Sequence, residues 1–262
     1  MARRSRIKRA GVPAEVSADV IARWGNDCWL HMPGCGRRAD TSDHIVPDVF
    51  GGPTTVGNLR RACKHCNSRR HERILSGYGA TYHAVIGPPC GGKSRYVDEH
   101  RQAGDIVIDF GLIATALTPG AETVTDPVRR MAAAAWYGAY RRAVTTMSPV
   151  TIWLVKVMPS TPRTPDLLGD WISLDYDVTV CDPGKSVVME RIRTERRLTM
   201  NAAMKAATQW YRAGITAPDV MARQRRRRHE LSVLGLRNDD DDDDESASNP
   251  LDECSSPSLP RW

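Results

Sequence analysis

Hydrophobic residues recur at helical spacing in one short segment near the amino terminus. Val16, Val20 and Trp24 lie four residues apart, with Pro13 before them and Gly25 after them. Proline is favoured at the first position of a helix, and glycine is favoured just past its end. The pattern therefore predicts a short amphipathic helix between Pro13 and Gly25.

From residue 80 onward, apolar runs typical of buried strands alternate with helical patterns. The predicted strands cover residues 82–86, 105–109, 150–158 and 176–181, and the predicted helices cover 92–101, 127–146, 184–196 and 200–213. Alternation of this kind predicts a parallel sheet that is covered by helices on both faces. The fold class expected for this region is therefore α/β.

The charge of the chain is unevenly distributed. The net charge is +6 over 262 residues, but the last 24 residues hold nine acidic residues and one arginine, so the rest carries +14. A body this basic favours nucleic acid as a partner. No apolar run is long enough to span a bilayer, and no secretory signal follows the basic amino terminus. We therefore expect no membrane partner and a cytoplasmic location.

Four of the seven cysteines form two closely spaced pairs in a polar segment over residues 28–73. Six residues separate Cys28 from Cys35, and two separate Cys63 from Cys66. In a reducing compartment this spacing favours a metal over disulfides. Four thiolates on two tight turns suit tetrahedral Zn²⁺, whose binding supplies folding free energy that so small a core lacks.

Residues suited to phosphodiester hydrolysis lie among these cysteines. Asp43 and His44 open the run DHIVP, Asn58 lies in the pair NL, and Asn67 directly follows Cys66. An imidazole can deprotonate water near neutral pH, and carboxylate and amide oxygens are ligands for Mg²⁺ or Mn²⁺. Because adjacent strand residues point to opposite sides, one of Asp43 and His44 could bind a metal while the other faces a substrate.

The combination of DHIVP, the glycine pair at 51–52, NL and CxxCN inside a cysteine frame resembles the HNH endonuclease family. The resemblance covers about residues 14–75. It implies the ββα-metal fold, a zinc-stapled frame and hydrolysis of DNA.

The resemblance also implies roles for individual residues. His44 would be the general base, Asp43 and Asn67 would bind the catalytic Mg²⁺ or Mn²⁺, and Asn58 would fix the loop that follows His44. His71, one helical turn beyond Asn67, either contacts phosphate, assists the metal or is an ordinary surface histidine.

A glycine-rich sequence follows the first strand of the alternating region. Residues 87–94, GPPCGGKS, fit the pattern GxxxxGK[ST] with Gly87 and Gly92 as its glycines. The backbone N–H groups of such a loop cradle phosphates, while Lys93 would reach the β- and γ-phosphates of ATP and Ser94 would bind Mg²⁺. The other interpretation is a glycine turn without a ligand.

The order of motifs over residues 80–213 resembles P-loop kinases, especially the polynucleotide-kinase-like branch. The resemblance implies an ATP site and a lid whose arginines stabilise the transferring phosphoryl group. The candidate arginines are Arg191, Arg193, Arg196 and Arg197.

One departure from that family concerns the acids. Asp109 is followed by Phe110 and Gly111, so the second acid of the family pattern is missing, and the third strand ends without the expected aspartate. Asp109 alone could serve Mg²⁺ or the acceptor, or it could be structural. Nucleotide binding is therefore better supported than phosphoryl transfer.

The sequence thus predicts a DNA-processing enzyme with five segments: a basic arm (1–13), an HNH domain (14–75), a linker (76–81), a P-loop kinase-like domain (82–229) and an acidic tail (230–262). The P-loop domain would phosphorylate nucleic-acid ends or gate the nuclease. Two alternatives stay open, namely a kinase whose zinc domain only binds nucleic acid, and a nuclease with a degenerate P-loop scaffold. Fused chains of this kind resemble bacteriophage proteins, which would act in the host cytoplasm.

Overall fold

The computed structural model describes residues 11–121, 124–157, 165–195 and 200–237. It divides into two compact units, Met1–His71 and Glu72–Trp262. The acidic run at 239–245, most of the predicted basic arm, and the candidates Arg196 and Arg197 lie outside the described residues. Within those ranges, no helix combines the length and the apolar character that crossing a membrane requires.

The first unit is built from two helices and a two-stranded antiparallel sheet. Its elements are α1 (Ala14–Trp24), β1 (Thr41–His44), a 3-10 turn (Asp48–Phe50), β2 (Leu59–Ala62) and α2 (Lys64–Arg70). The helix predicted after Pro13 is confirmed: Gly25 ends it with a φ of 77°, and its N–H donates to the carbonyl of Ile21.

The core of the first unit is small. Its fully buried apolar side chains come from α1, from the segment after it, from the residue after β1 and from β2. They include Val20, Trp29, Leu30, Met32, Ile45 and Leu59. A core of this size agrees with the prediction that the segment needs a further source of folding free energy.

The second unit contains a four-stranded parallel sheet, as predicted. Its strands are β3 (Thr81–Ile86), β4 (Ile106–Asp109), β5 (Thr151–Lys156) and β6 (Asp177–Val180), in the spatial order β4-β5-β3-β6. The helices are α3 (Lys93–His100), α4 (Phe110–Leu117), α5 (Asp126–Ala143), α6 (Leu167–Ser173), α7 (Lys185–Glu195), α8 (Met200–Ala213) and α9 (Ala217–Val233). Because all four strands are parallel, their carboxyl ends share one edge of the sheet.

Three of these helices were not predicted, and the burial of their residues explains why. All seven residues of α6 are buried, so it has no polar face to create a helical period. In α9 the buried stripe includes the polar side chains of Gln224 and Arg227, so the apolar period is interrupted. Helix α4 starts directly after β4, where Asp109 caps it, and leaves no loop to mark its beginning.

The segments predicted as a linker and as the start of the tail are part of the second unit. The N–H of Ser76 donates to the carbonyl of Leu174, and the hydroxyl of Ser76 accepts from the N–H of Tyr82. At the other end, α9 continues to Val233, and Arg237 donates to Asp175 at 2.8 Å. These hydrogen bonds depend on contacts distant in sequence, which composition alone does not reveal.

Candidate functional site

The four cysteines of the first unit converge as their spacing predicts. The Sγ atoms of Cys28, Cys35, Cys63 and Cys66 all lie within 4.8 Å of one another, and those of Cys35 and Cys63 are 3.9 Å apart. Four thiolates at about 2.3 Å from a tetrahedral Zn²⁺ would lie about 3.8 Å apart. The cluster therefore fits a zinc ion with little adjustment.

The two turns that carry these cysteines are also bonded to each other. His65, between Cys63 and Cys66, donates from Nε2 to the carbonyl of Pro33 at 2.9 Å. Gly34 has a φ of 82°, and a Cβ there would lie 3.1 Å from the His65 ring. The close contact and the positive φ together favour glycine at this turn.

The pKa values of the cysteine thiols bear on whether the cluster can bind a metal. Burial acts to raise the pKa of Cys63, but hydrogen bonds from the Cys66 N–H and from neighbouring thiols lower it to about 7. Burial raises the pKa of Cys35 and Cys66. Four thiolates therefore need a positive charge among them, which Zn²⁺ would supply.

Strand β1 carries the next candidates, Asp43 and His44, and separates them as expected. Asp43 is buried, whereas His44 is half-buried and its Nε2 forms a 3.0 Å hydrogen bond with the hydroxyl of Thr54. The carboxylate Oδ2 of Asp43 accepts from Trp29 Nε1 at 3.1 Å and from Arg70 Nη1 at 2.6 Å. Within the described part of the chain, Oδ1 of Asp43 accepts no hydrogen bond, so this oxygen is available to a cation.

Asn67, on the first turns of α2, points its amide at β1. Its Nδ2 lies 3.2 Å from the hydroxyl of Thr41, which itself donates to the carbonyl of Ala62 at 2.9 Å. Because a hydroxyl has a single hydrogen, Thr41 must accept from Asn67 rather than donate to it. The amide oxygen of Asn67 is therefore directed away from Thr41 and accepts no hydrogen bond from the described residues.

Asn58 spans the loop that follows His44. Its Oδ1 accepts from the N–H of Val46 at 2.9 Å, and its Nδ2 donates to the carbonyls of Val46 and Pro53, each at 3.0 Å. A Cβ at Gly52 would lie 1.8 Å from the Val46 carbonyl, so only glycine allows the chain to pass. Asn58 thus closes the loop from which Thr54 reaches His44.

The structure places His71 at the end of α2, on the surface, which agrees with the interpretation of an ordinary surface histidine. Helix α2 ends at Arg70, and His71 follows it with a φ of 56° and an exposed side chain. The N–H of His71 still donates to the carbonyl of Asn67 at 3.0 Å, so His71 is the cap residue that ends the helix. Arg70, on the last turn of the helix, is instead the residue that reaches Asp43.

Sequence reasoning missed four residues that hold the candidates in place. They are Trp29, Thr41, Thr54 and Arg70. The only local signal was the spacing of three residues from Asn67 to Arg70, which places both on the same side of a helix.

The glycine-rich loop of the second unit joins β3 to α3 as predicted. Gly87 and Gly92 have φ values of 155° and 97°, and a Cβ at Gly87 would lie 2.1 Å from the carbonyl of Cys181. Lys93 donates from Nζ to the carbonyls of Gly87 and Pro88 at 3.0 and 2.7 Å. The close contact with Cys181 explains a glycine at position 87 by packing alone, without a bound phosphate.

Ser94 and Asp109 meet at the carboxyl edge of the sheet. The hydroxyl of Ser94 donates to Oδ2 of Asp109 at 2.9 Å, and Oδ1 accepts from the N–H of Gly111. Arg191 donates to the carbonyl of Cys90 in the loop at 3.2 Å. The predicted loop residues therefore lie together with Asp109 and Arg191.

One feature of this edge differs from the family pattern, and one of the candidate lid arginines is paired within its own helix. Strand β5, next to the loop strand, ends at Lys156, whose Nζ lies 4.4 Å from the ring centre of Trp136 and 3.2 Å from the hydroxyl of Tyr137. Arg193 pairs with Glu190 on its own helix, at 3.3 Å. The charged side chain at the end of β5 is thus the lysine Lys156, where the family pattern has an aspartate.

Comparison with protein families identifies the first of these sites. Residues 27–73 match the family described as HNH endonuclease. This segment is therefore similar to an HNH endonuclease domain. The match contains the cysteine cluster and β1, β2 and α2, and it indicates a nuclease. No curated protein and no solved structure shows significant similarity to the chain.

Proposed function

We propose that the HNH domain hydrolyses DNA phosphodiester bonds with Mg²⁺ or Mn²⁺ as the catalytic cation. The observation that carries the proposal is the pair of oxygens left open between β1 and α2, namely Oδ1 of Asp43 and the amide oxygen of Asn67. Thr41 and Asp43 lie on one face of β1 because side chains alternate along a strand. Asn67 is bonded to Thr41, so Asn67 and Asp43 lie at the same face of β1.

In this proposal His44 is the general base. Thr54 holds Nε2, and Nδ1 has no hydrogen bond within the described residues, so Nδ1 accepts the proton of the attacking water. Asp43 and Asn67 would hold the cation, which neutralises negative charge on the phosphate and on the leaving oxygen. Asn58 keeps the His44 loop in place, and the four cysteines would hold a structural Zn²⁺.

For the second unit we propose a nucleotide site for ATP. The support is the junction of β3 and α3, where the glycine loop, Lys93, Ser94, Asp109 and Arg191 lie together. Lys93 would exchange its bonds to loop carbonyls for bonds to phosphate oxygens. The bound nucleotide would either donate phosphate to nucleic-acid ends or gate the nuclease.

Of the two alternatives, a nuclease with a degenerate P-loop scaffold is the one that specific observations favour. The contact of Gly87 with Cys181, and Lys156 in place of an acid, favour a degenerate scaffold. A purely DNA-binding zinc domain would be favoured if the His44 region served no chemistry.

The deciding experiment incubates the purified protein with supercoiled plasmid and Mg²⁺ or Mn²⁺, with and without ATP. Nicking or linearisation that requires the cation supports the nuclease, and a change of rate with ATP supports gating. A parallel assay with labelled ATP and DNA ends detects phosphoryl transfer. Absence of cleavage under every condition would leave only the DNA-binding alternative.

A further inference from the structure

Arg70 and Trp29 converge on one oxygen of Asp43. The side chain of Arg70 is fully buried, and that of Asp43 keeps 8% of its surface exposed. Arg70 Nη1 and Trp29 Nε1 both donate to Oδ2, at 2.6 and 3.1 Å, and the guanidinium of Arg70 lies 5.2 Å from the centre of the Trp29 ring. A carboxylate whose one oxygen is held by two donors can offer only the other to a cation.

Arg70 also holds the backbone at the proposed base, His44, and at the residue after it. It donates from Nη1 to the carbonyl of His44 and from Nη2 to the carbonyl of Ile45. One planar guanidinium therefore binds a carboxylate and two successive carbonyls. The ammonium group of a lysine is a single point charge and cannot reproduce all of these hydrogen bonds.

Both donors are attached to the cysteine frame. Trp29 follows Cys28, and Arg70 lies on α2, whose first turn contains Cys66 and is capped by Cys63. Any ion that orders the four thiols therefore also orders the two donors that hold Asp43.

We propose that Arg70 and Trp29 are positioning residues that present Oδ1 of Asp43 to the catalytic cation. This inference rests on the proposed function of Asp43. Partners of metal ligands usually change metal affinity or activity by about 10- to 100-fold when they are replaced. Arg70→Lys and Trp29→Phe should therefore each weaken Mn²⁺ binding by about 10-fold or more, and should slow cleavage.

The test measures Mn²⁺ binding to the full chain in the absence of DNA, by electron paramagnetic resonance of free Mn²⁺. The Mn²⁺ ion of interest is the one whose binding is lost in the Asp43→Asn variant. Zinc content and melting temperature are recorded for each variant, because replacing a buried arginine can also destabilise the unit.

Two matched controls remove similar bonds elsewhere in the same unit. Trp24→Phe loses an indole hydrogen bond to the carbonyl of Val56 at 3.3 Å, and Arg61→Lys loses bonds to Asn26 and Ser42 at 3.0 Å. Both should keep the Mn²⁺ affinity of the wild type. The inference is overturned if Arg70→Lys and Trp29→Phe bind Mn²⁺ as tightly as their controls while the wild type binds Mn²⁺ and cuts DNA. If the wild type neither binds Mn²⁺ at Asp43 nor cuts DNA, the proposed function fails as well.

Discussion

Replacing Asn58 with alanine should free the loop that carries Thr54. The substitution removes three hydrogen bonds of 2.9 to 3.0 Å, two of them to the backbone of Val46. At about 1 kcal/mol for each net hydrogen bond, the loop should lose about 2–3 kcal/mol of local stability. This corresponds to about a 30- to 150-fold increase in local opening.

Hydrogen exchange followed by mass spectrometry measures this opening directly. The amide of Val46 loses its acceptor, so peptides covering residues 45–58 should exchange faster by about that factor. Plasmid cleavage should fall by about 10-fold or more, because His44 then loses the fixed position of Thr54.

Asn26→Ala is the matched control, because the side chain of Asn26 accepts one exposed hydrogen bond, from Arg61 at 3.0 Å. Exchange and cleavage in the control should stay near the wild type. If Asn58→Ala exchanges and cleaves like the Asn26 control, the assigned role of Asn58 is refuted.

Three further predictions concern the other sites. His44→Ala should slow cleavage by about 100-fold or more with zinc content unchanged. The control His229→Ala, at an exposed position of α9, should cleave at the rate of the wild type. Comparable rates for the two variants would exclude His44 as the base. The purified protein should contain about one zinc per chain, and Cys63→Ala should lose it and unfold the first unit while the second stays folded, as followed by elemental analysis and thermal melting. ATP with Mg²⁺ should raise the melting temperature of the second unit. Lys93→Ala should remove most of this shift, whereas the control Lys205→Ala, at an exposed position, should keep it. If the wild type shows no shift at millimolar ATP, the loop does not bind ATP.

The comparison of sequence and structure separates two kinds of information. Features that depend on residues close together in the chain could be predicted from the sequence. They are the two cysteine pairs, the run around Asp43 and His44, and the apolar runs of the four parallel strands. The family match to residues 27–73 and the convergence of the four Sγ atoms confirm the first of these predictions. Each depends on spacing along the chain, which the sequence contains in full.

What holds Asp43 in place was decided only by the tertiary structure. Arg70 and Trp29 lie 27 and 14 residues from Asp43 in the sequence, and no period connects them. The same holds for Arg227 in α9, a buried arginine that donates to the carbonyl of Ser173 and that the sequence presents as one of four consecutive arginines. A charged side chain is buried only where distant backbone and carboxylate oxygens converge on it, so its role follows from the packing of the whole unit rather than from its own segment.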